Sequence, residues 1–129
     1  MSRSTISFEE FDRLQGADLV EYLGDDWDLR QVQPGFVDAC ANRLGSFDEY
    51  HLSYAIELGS LHAPERFLPL IAPYLADRRT SVWTAATRAI ERAQSLKQAV
   101  YQAIERHAKQ SPIDLDDWLD EVRAKVEPT

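Results

Sequence analysis

The sequence predicts an all-α protein, built as a short stack of antiparallel helical hairpins with about seven to eight helices. Three observations carry that reading. Residues 67–93, FLPLIAPYLADRRTSVWTAATRAIERA, read as two amphipathic helices joined by a tight polar turn, and such a hairpin cannot bury its apolar face without a neighbour. Phe36, Val37, Cys40 and Leu44 recur as Phe67, Leu68, Ile71 and Leu75 at an offset of 31, with Leu58 against Ile90 at 32. No segment shows the two-residue alternation of a half-buried strand.

Each helix has a local reason. Ser7 with Glu10 three residues on makes a capping box for a short helix through Leu14, and Gly16 breaks it. Ala17 to Leu23 places Leu19, Val20 and Leu23 on one side, and Gly24 ends it. Asp25 to Gln33 reads as a polar connection carrying Trp27 and Leu29. Pro34 suits a helix's first turn, where its missing N–H costs nothing. The helix it opens closes at Gly45, and Cys40 on its apolar face reads as a small buried hydrophobe. Ser46 with Glu49 makes a second capping box for a helix carrying Tyr50, Tyr54, Ile56, Leu58 and Leu61.

A third long element starts at Pro64 and is bent or broken by Pro69 and Pro73. Thr80 or Ser81 caps the run from Val82 to Ala93, and Ser95 starts the next with Leu96, Val100, Ile104 and Ala108. Ser111-Pro112 stops it, and Asp114 or a neighbour opens an acidic helix with Leu115, Trp118, Leu119 and Val122. A single domain over residues 1–129 follows: capping helices over 1–33, two hairpins over 34–93, and a C-terminal hairpin and cap over 94–129.

The formal charge of −8 is unevenly distributed. Residues 1–60 hold 12 acids and 4 bases, residues 61–110 hold 4 and 8, and residues 111–129 hold 6 and 2. An acidic chain repels phosphate backbones, which counts against direct nucleic-acid binding and favours a basic protein partner. MSRSTISFEEF lacks the apolar run of a signal peptide, and no window reaches the length of a membrane span, so a cytoplasmic protein is expected.

The middle of the chain, residues 34 to 93, resembles a HEAT repeat. Leu75 and Asp77 sit at the inter-helix turn, Val82 follows five residues after Asp77, and Ala85, Ala86, Ala89 and Ile90 fall on the small and apolar positions of the second helix. Leu58-Gly59-Ser60-Leu61 is similar to the L-G-x-L ending of a preceding unit. The resemblance implies a HEAT-like right-handed stack that works by surface recognition. Trp83 stands where the family commonly has Arg, which breaks the polar Asp–Arg ladder between repeats.

Signals for catalysis are sparse. His51, His62 and His107 form no metal-binding pair, Cys40 has no partner cysteine, and the acids from Asp114 to Glu121 lack the glycine and ligand spacing of a calcium loop. No glycine-rich phosphate loop or strained nucleophile turn is present. No enzyme, metal or cofactor is expected.

Binding signals are stronger. Asp25-Asp26-Trp27-Asp28 and Asp116-Asp117-Trp118-Leu119-Asp120 each set a tryptophan among carboxylates, a composition suited to a basic partner. Asp48, Glu49 and Tyr50 add a third acidic group with an aromatic neighbour. Trp118 shares a face with core positions, Trp27 could cover the first helices, and Trp83 either packs between repeats or lines the concave surface.

In size, charge and architecture the chain is similar to bacterial immunity proteins, which neutralise nuclease-type or other cationic toxins by occluding them. That resemblance implies a monomer or 1:1 complex with a basic toxin domain through Asp25, Asp26, Asp28, Asp48, Glu49, Asp116, Asp117 and Asp120, with Trp27 and Tyr50 as anchors. The alternative is a scaffold or regulatory adaptor that grips an acidic peptide or subunit with Trp83 and Arg78, Arg79, Arg88 and Arg92.

Overall fold

The computed structural model describes residues 5–128; residues 1–4 and 129, the ends of the expected domain, lie outside the described residues. Eight α-helices follow one another: α1 (Phe8–Arg13), α2 (Gly16–Leu23), α3 (Phe36–Arg43), α4 (Glu49–His62), α5 (Pro64–Ile71), α6 (Thr80–Arg92), α7 (Gln98–Ala108) and α8 (Asp116–Arg123). Short 3-10 segments lie at Trp27–Leu29, Leu44–Ser46 and Ala72–Ala76. The chain is all-α among the described residues.

The helices pack in two layers. α4 lies along α6 in one layer, while α3, α5 with Ala72–Ala76, and α7 neighbour one another in the other. α1 joins the stack at α3, and α8 closes it against α7. α4 is therefore covered by α3, α5 and α6, and residues 55–60 are buried without interruption. The expected stripe of α4 is corrected accordingly: Leu52, Ala55, Ile56, Leu58 and Gly59 face the core, while Tyr50 and Leu61 are exposed.

Close approach of α4 and α5 depends on Gly59. A methyl group there would sit 2.2 Å from the ring of Phe67, which is fully buried. The L-G-x-L stretch thus has a steric cause: the Phe67 ring occupies the space of a side chain on α4.

Several expected caps move. Ser7 accepts from the Glu10 N–H at 3.2 Å, as its motif predicts. Ser46 does not cap α4: it lies in the 3-10 segment Leu44–Ser46 with its hydroxyl on Arg43 O, and Asp48 takes the cap by accepting from the His51 N–H at 2.8 Å. Pro34 precedes α3 in a turn completed by Gly35 at φ 88°, outside the helix itself. α6 starts at Thr80 behind Arg79 with no side-chain cap, and α7 starts at Gln98 rather than near Ser95. Asp114 accepts from the Asp116 N–H at 2.9 Å and turns the chain into α8. The proline prediction holds, since the α-helix from Pro64 converts to 3-10 geometry at Ala72–Ala76.

Two contacts between distant segments had no sequence signal. Ile6 pairs in parallel with Val32, its N–H on Gln31 O and its carbonyl accepting from Gln33 N, each at 2.9 Å. Leu96 does the same with Val126, through Lys125 O and Glu127 N at 2.8 Å. Each fastens an end segment of the described chain, and in each pair one partner, Ile6 or Leu96, also buries its side chain.

Cys40 is fully buried, and that burial, with Asp12 adding, pushes its thiol up to about 12. The native protein is expected to resist a chromogenic thiol reagent at about pH 8, where a free cysteine is partly thiolate. Full reaction should appear only in denaturant, and rapid labelling of the native chain would contradict the burial.

Candidate functional site

The acid-rich turn after α2 is anchored at both ends. The Arg30 guanidinium donates to Tyr22 O at 2.6 Å and Leu23 O at 3.0 Å, satisfying the last carbonyls of α2. Trp27 then packs edge-on against Tyr54 of α4, with centroids 5.8 Å apart and planes at 82°. Arg92, the last residue of α6, places its guanidinium carbon 5.8 Å from the centre of the Trp27 ring. The turn is thus tied to both central helices by one indole.

What that leaves outward is different in kind. Asp25 and Asp28 are exposed and Asp26 half-buried, while Leu29 is 81% exposed, the most exposed large apolar side chain among the described residues. Tyr50, one helical turn before Tyr54, is 56% exposed. Trp27 is half-buried and holds the turn, while Leu29 stands exposed at its surface.

Glu57 lies one turn beyond Tyr54 and is 7% exposed. Burial raises its carboxyl above the usual range, with the charges of Arg92 and Arg88 pulling it back and Asp28 adding to the rise. Arg92 Nη1 comes to 3.2 Å from Glu57 Oε1 as an ion pair that falls short of strict hydrogen-bond geometry yet still pulls the carboxyl down. Sequence reading missed Glu57. Its signal was available: an acid between Ile56 and Leu58 in the longest helix.

The remaining predicted residues arrive elsewhere. Asp48 caps α4 and binds the His51 ring, and Glu49 accepts from the Ser81 hydroxyl, joining the starts of α4 and α6. Both are structural as well as acidic. Asp116, Asp117 and Asp120 are exposed on α8, where Trp118 is half-buried and donates Nε1–H to Glu91 Oε1 at 2.9 Å. Glu91 adjoins Arg92, so α6 ends with one residue linked to α8 and the next to Trp27. Trp83 is half-buried on the first turn of α6.

Two arginines of the basic segment are paired from within, Arg79 with Asp77 and Arg92 with Glu57. Arg79 holds Asp77 through Nε at 3.0 Å and Nη2 at 2.9 Å, and this keeps the Asp77 carboxyl below its ordinary range. Asp77 spends its charge on this local pair.

A groove of about 430 Å³ opens where α4 and α6 end and α5 and α7 begin, with Leu61, Leu68, Leu96 and Val100 as its apolar lining and Arg92 and Lys97 as cations. A second, more open groove runs along residues 31–38 beside His62, whose Nε2 has no hydrogen-bond partner. Neither groove includes Glu57. Among the described residues, no three His, Cys, Asp or Glu side chains gather as a metal site, and no helix is long and apolar enough to cross a membrane.

No protein-family model matches the chain, and no curated protein or solved structure matches it.

Proposed function

We propose that this chain is a non-enzymatic protein-binding module of HEAT-like architecture that acts as an immunity protein, neutralising a cationic, nuclease-type toxin by stoichiometric occlusion. The observation that carries the reading is the 25–29 turn. It combines exposed carboxylates with an 81% exposed leucine on a backbone immobilised by Trp27 and Arg30. A fixed apolar knob ringed by charge is what an interface needs, because little ordering entropy is lost when it docks. The net charge of −8 adds long-range attraction for a basic partner. The adaptor reading is weaker, since Arg79 is already held in a bidentate pair by Asp77.

The reading expects a cationic toxin domain to be encoded beside this gene, and the test is stopped-flow association with that domain; a neighbourhood without one rejects the immunity role. The on-rate is expected to fall as salt rises, and Asp25, Asp26 and Asp28 reversed to Lys should slow it by about 10- to 100-fold. Arg78 and Arg79 reversed to Glu should change it far less. No association with that domain, or the opposite ranking, rejects the immunity role.

A further inference from the structure

We infer that Trp27, Tyr54 and Glu57 form a receptor for a guanidinium side chain of the basic partner, a receptor that Arg92 occupies in the free protein. The inference rests on the binding role proposed above and names the side chain that one part of the surface takes.

The chemistry is read from the occupant already present. A guanidinium lies 5.8 Å from the Trp27 ring centre and 3.2 Å from Glu57 Oε1, with Tyr54 packed edge-on against the same indole. An aromatic face and a desolvated carboxylate together select a planar, weakly hydrated cation, which is arginine in preference to lysine. Asp28, exposed on the same turn as Trp27, adds negative charge near this site and raises the Glu57 carboxyl.

Arg92 fills this position poorly. Its contact with Glu57 falls short of strict hydrogen-bond geometry at the buried Oε1. A buried acceptor with an imperfectly aligned ionic neighbour can gain from a better-placed N–H group. Arg92 also has somewhere to go. Its side chain is 39% exposed, it ends α6, and it already lines the neighbouring groove beside Leu61 and Lys97. A partner arginine entering over Trp27 can therefore replace it without unfolding any helix. The internal arginine then acts as a competitor whose displacement is subtracted from the partner's affinity.

The experiment uses the full chain with a hexa-arginine peptide as probe, hexa-lysine as its control, and the assigned Trp27 indole N–H resonance as readout. Wild type is expected to show a Trp27 shift with hexa-arginine and a much smaller one with hexa-lysine. Arg92→Gln should tighten hexa-arginine by about fivefold, with Arg92→Lys between the two, because a half-exposed ion pair is the competitor removed. Glu57→Gln should weaken it by at least as much, and because glutamine keeps the size of the side chain and one acceptor oxygen, the variant should fold. Circular dichroism and thermal melts confirm folding of each variant, and Arg92→Lys keeps the test open if Arg92→Gln is destabilised.

Hexa-arginine binding that leaves Trp27 unmoved, or an affinity indifferent to Arg92 and Glu57, overturns the inference, as does no binding at all. The two proposals fail separately. Toxin-domain association with an unmoved Trp27 removes the receptor and keeps the immunity role. An arginine response at Trp27 without toxin-domain association keeps the receptor and removes the role.

Discussion

Replacing Gly59 by alanine is expected to destabilise the fold by about 3 kcal/mol, the upper part of the usual range for overpacking a core. The added methyl would meet the Phe67 ring at 2.2 Å. Phe67 is the far end of a flexible side chain, but it is fully buried, and its neighbours Leu68, Ile71 and Leu75 are buried too. A rotation away from Gly59 would drive the ring into that packing. For a chain of this size the loss corresponds to a melting-point drop of about 10 °C by calorimetry.

Phe67→Leu should partly rescue Gly59→Ala, because the smaller side chain clears the space the methyl needs. The two substitutions should then be strongly non-additive in a double-mutant cycle, as expected of residues in direct contact. A Gly59→Ala protein that melts within a degree or two of wild type would show that α4 and α5 do not approach this closely.

Replacing His51 by phenylalanine is expected to cost a similar amount, about 3 kcal/mol, although the ring is retained. His51 is 5% exposed and packs against Phe11 at 5.2 Å and Phe47 at 6.1 Å, contacts that phenylalanine can keep. The loss is polar. Nδ1 lies 2.8 Å from Asp48 Oδ1, and Nε2 lies 2.9 Å from Phe11 O and 2.8 Å from Leu14 O. Every atom facing the ring nitrogens is an acceptor, so the ring must donate from each nitrogen that it uses. Phenylalanine would leave two backbone carbonyls at the end of α1 without that donor. Hydrogen exchange should therefore accelerate most in α1 and the α1–α2 junction, and least in α6. Uniform acceleration would contradict the local latch.

The pH dependence of this latch has a definite sign. Burial alone would raise the Asp48 carboxyl, but donation from the backbone N–H groups of His51 and Tyr50 and from the His51 ring brings it below its ordinary value. A carboxyl depressed in the folded state contributes stability above its unfolded pKa, near 4, and loses that contribution as pH falls through the folded value. The His51→Phe protein should accordingly show a shallower loss of stability on the acid limb, measured by denaturant midpoints.

The acidic clusters, the break caused by Pro69 and Pro73, and the Ser7 cap were all readable from local pattern. Each depends on residues within a few positions of one another, where spacing and chemistry are visible directly. The cap of α4 was misread for a local reason. Ser46-Phe47-Asp48-Glu49 offers two candidate caps, and only the 3-10 turn at Leu44–Ser46 decides for Asp48. The candidate site was half legible. Asp25, Asp26, Trp27, Asp28 and Tyr50 stood out by composition, whereas Leu29, Tyr54, Glu57 and Arg92 acquire meaning through contacts 27 to 65 residues apart in the chain.

By itself, then, the sequence determined the helical class, most of the breaks between helices and the segregation of charge, because helix periodicity, glycine, proline and ionisable groups act locally. Only the tertiary structure decided which faces are covered. It buried Glu57 and His51 because α4 is enclosed by three neighbours, and it made Trp27 a fastening and left Leu29 free because Tyr54 and Arg92 meet the indole across the layer formed by α4 and α6. Burial depends on elements remote in sequence, and no local pattern of residues contains it.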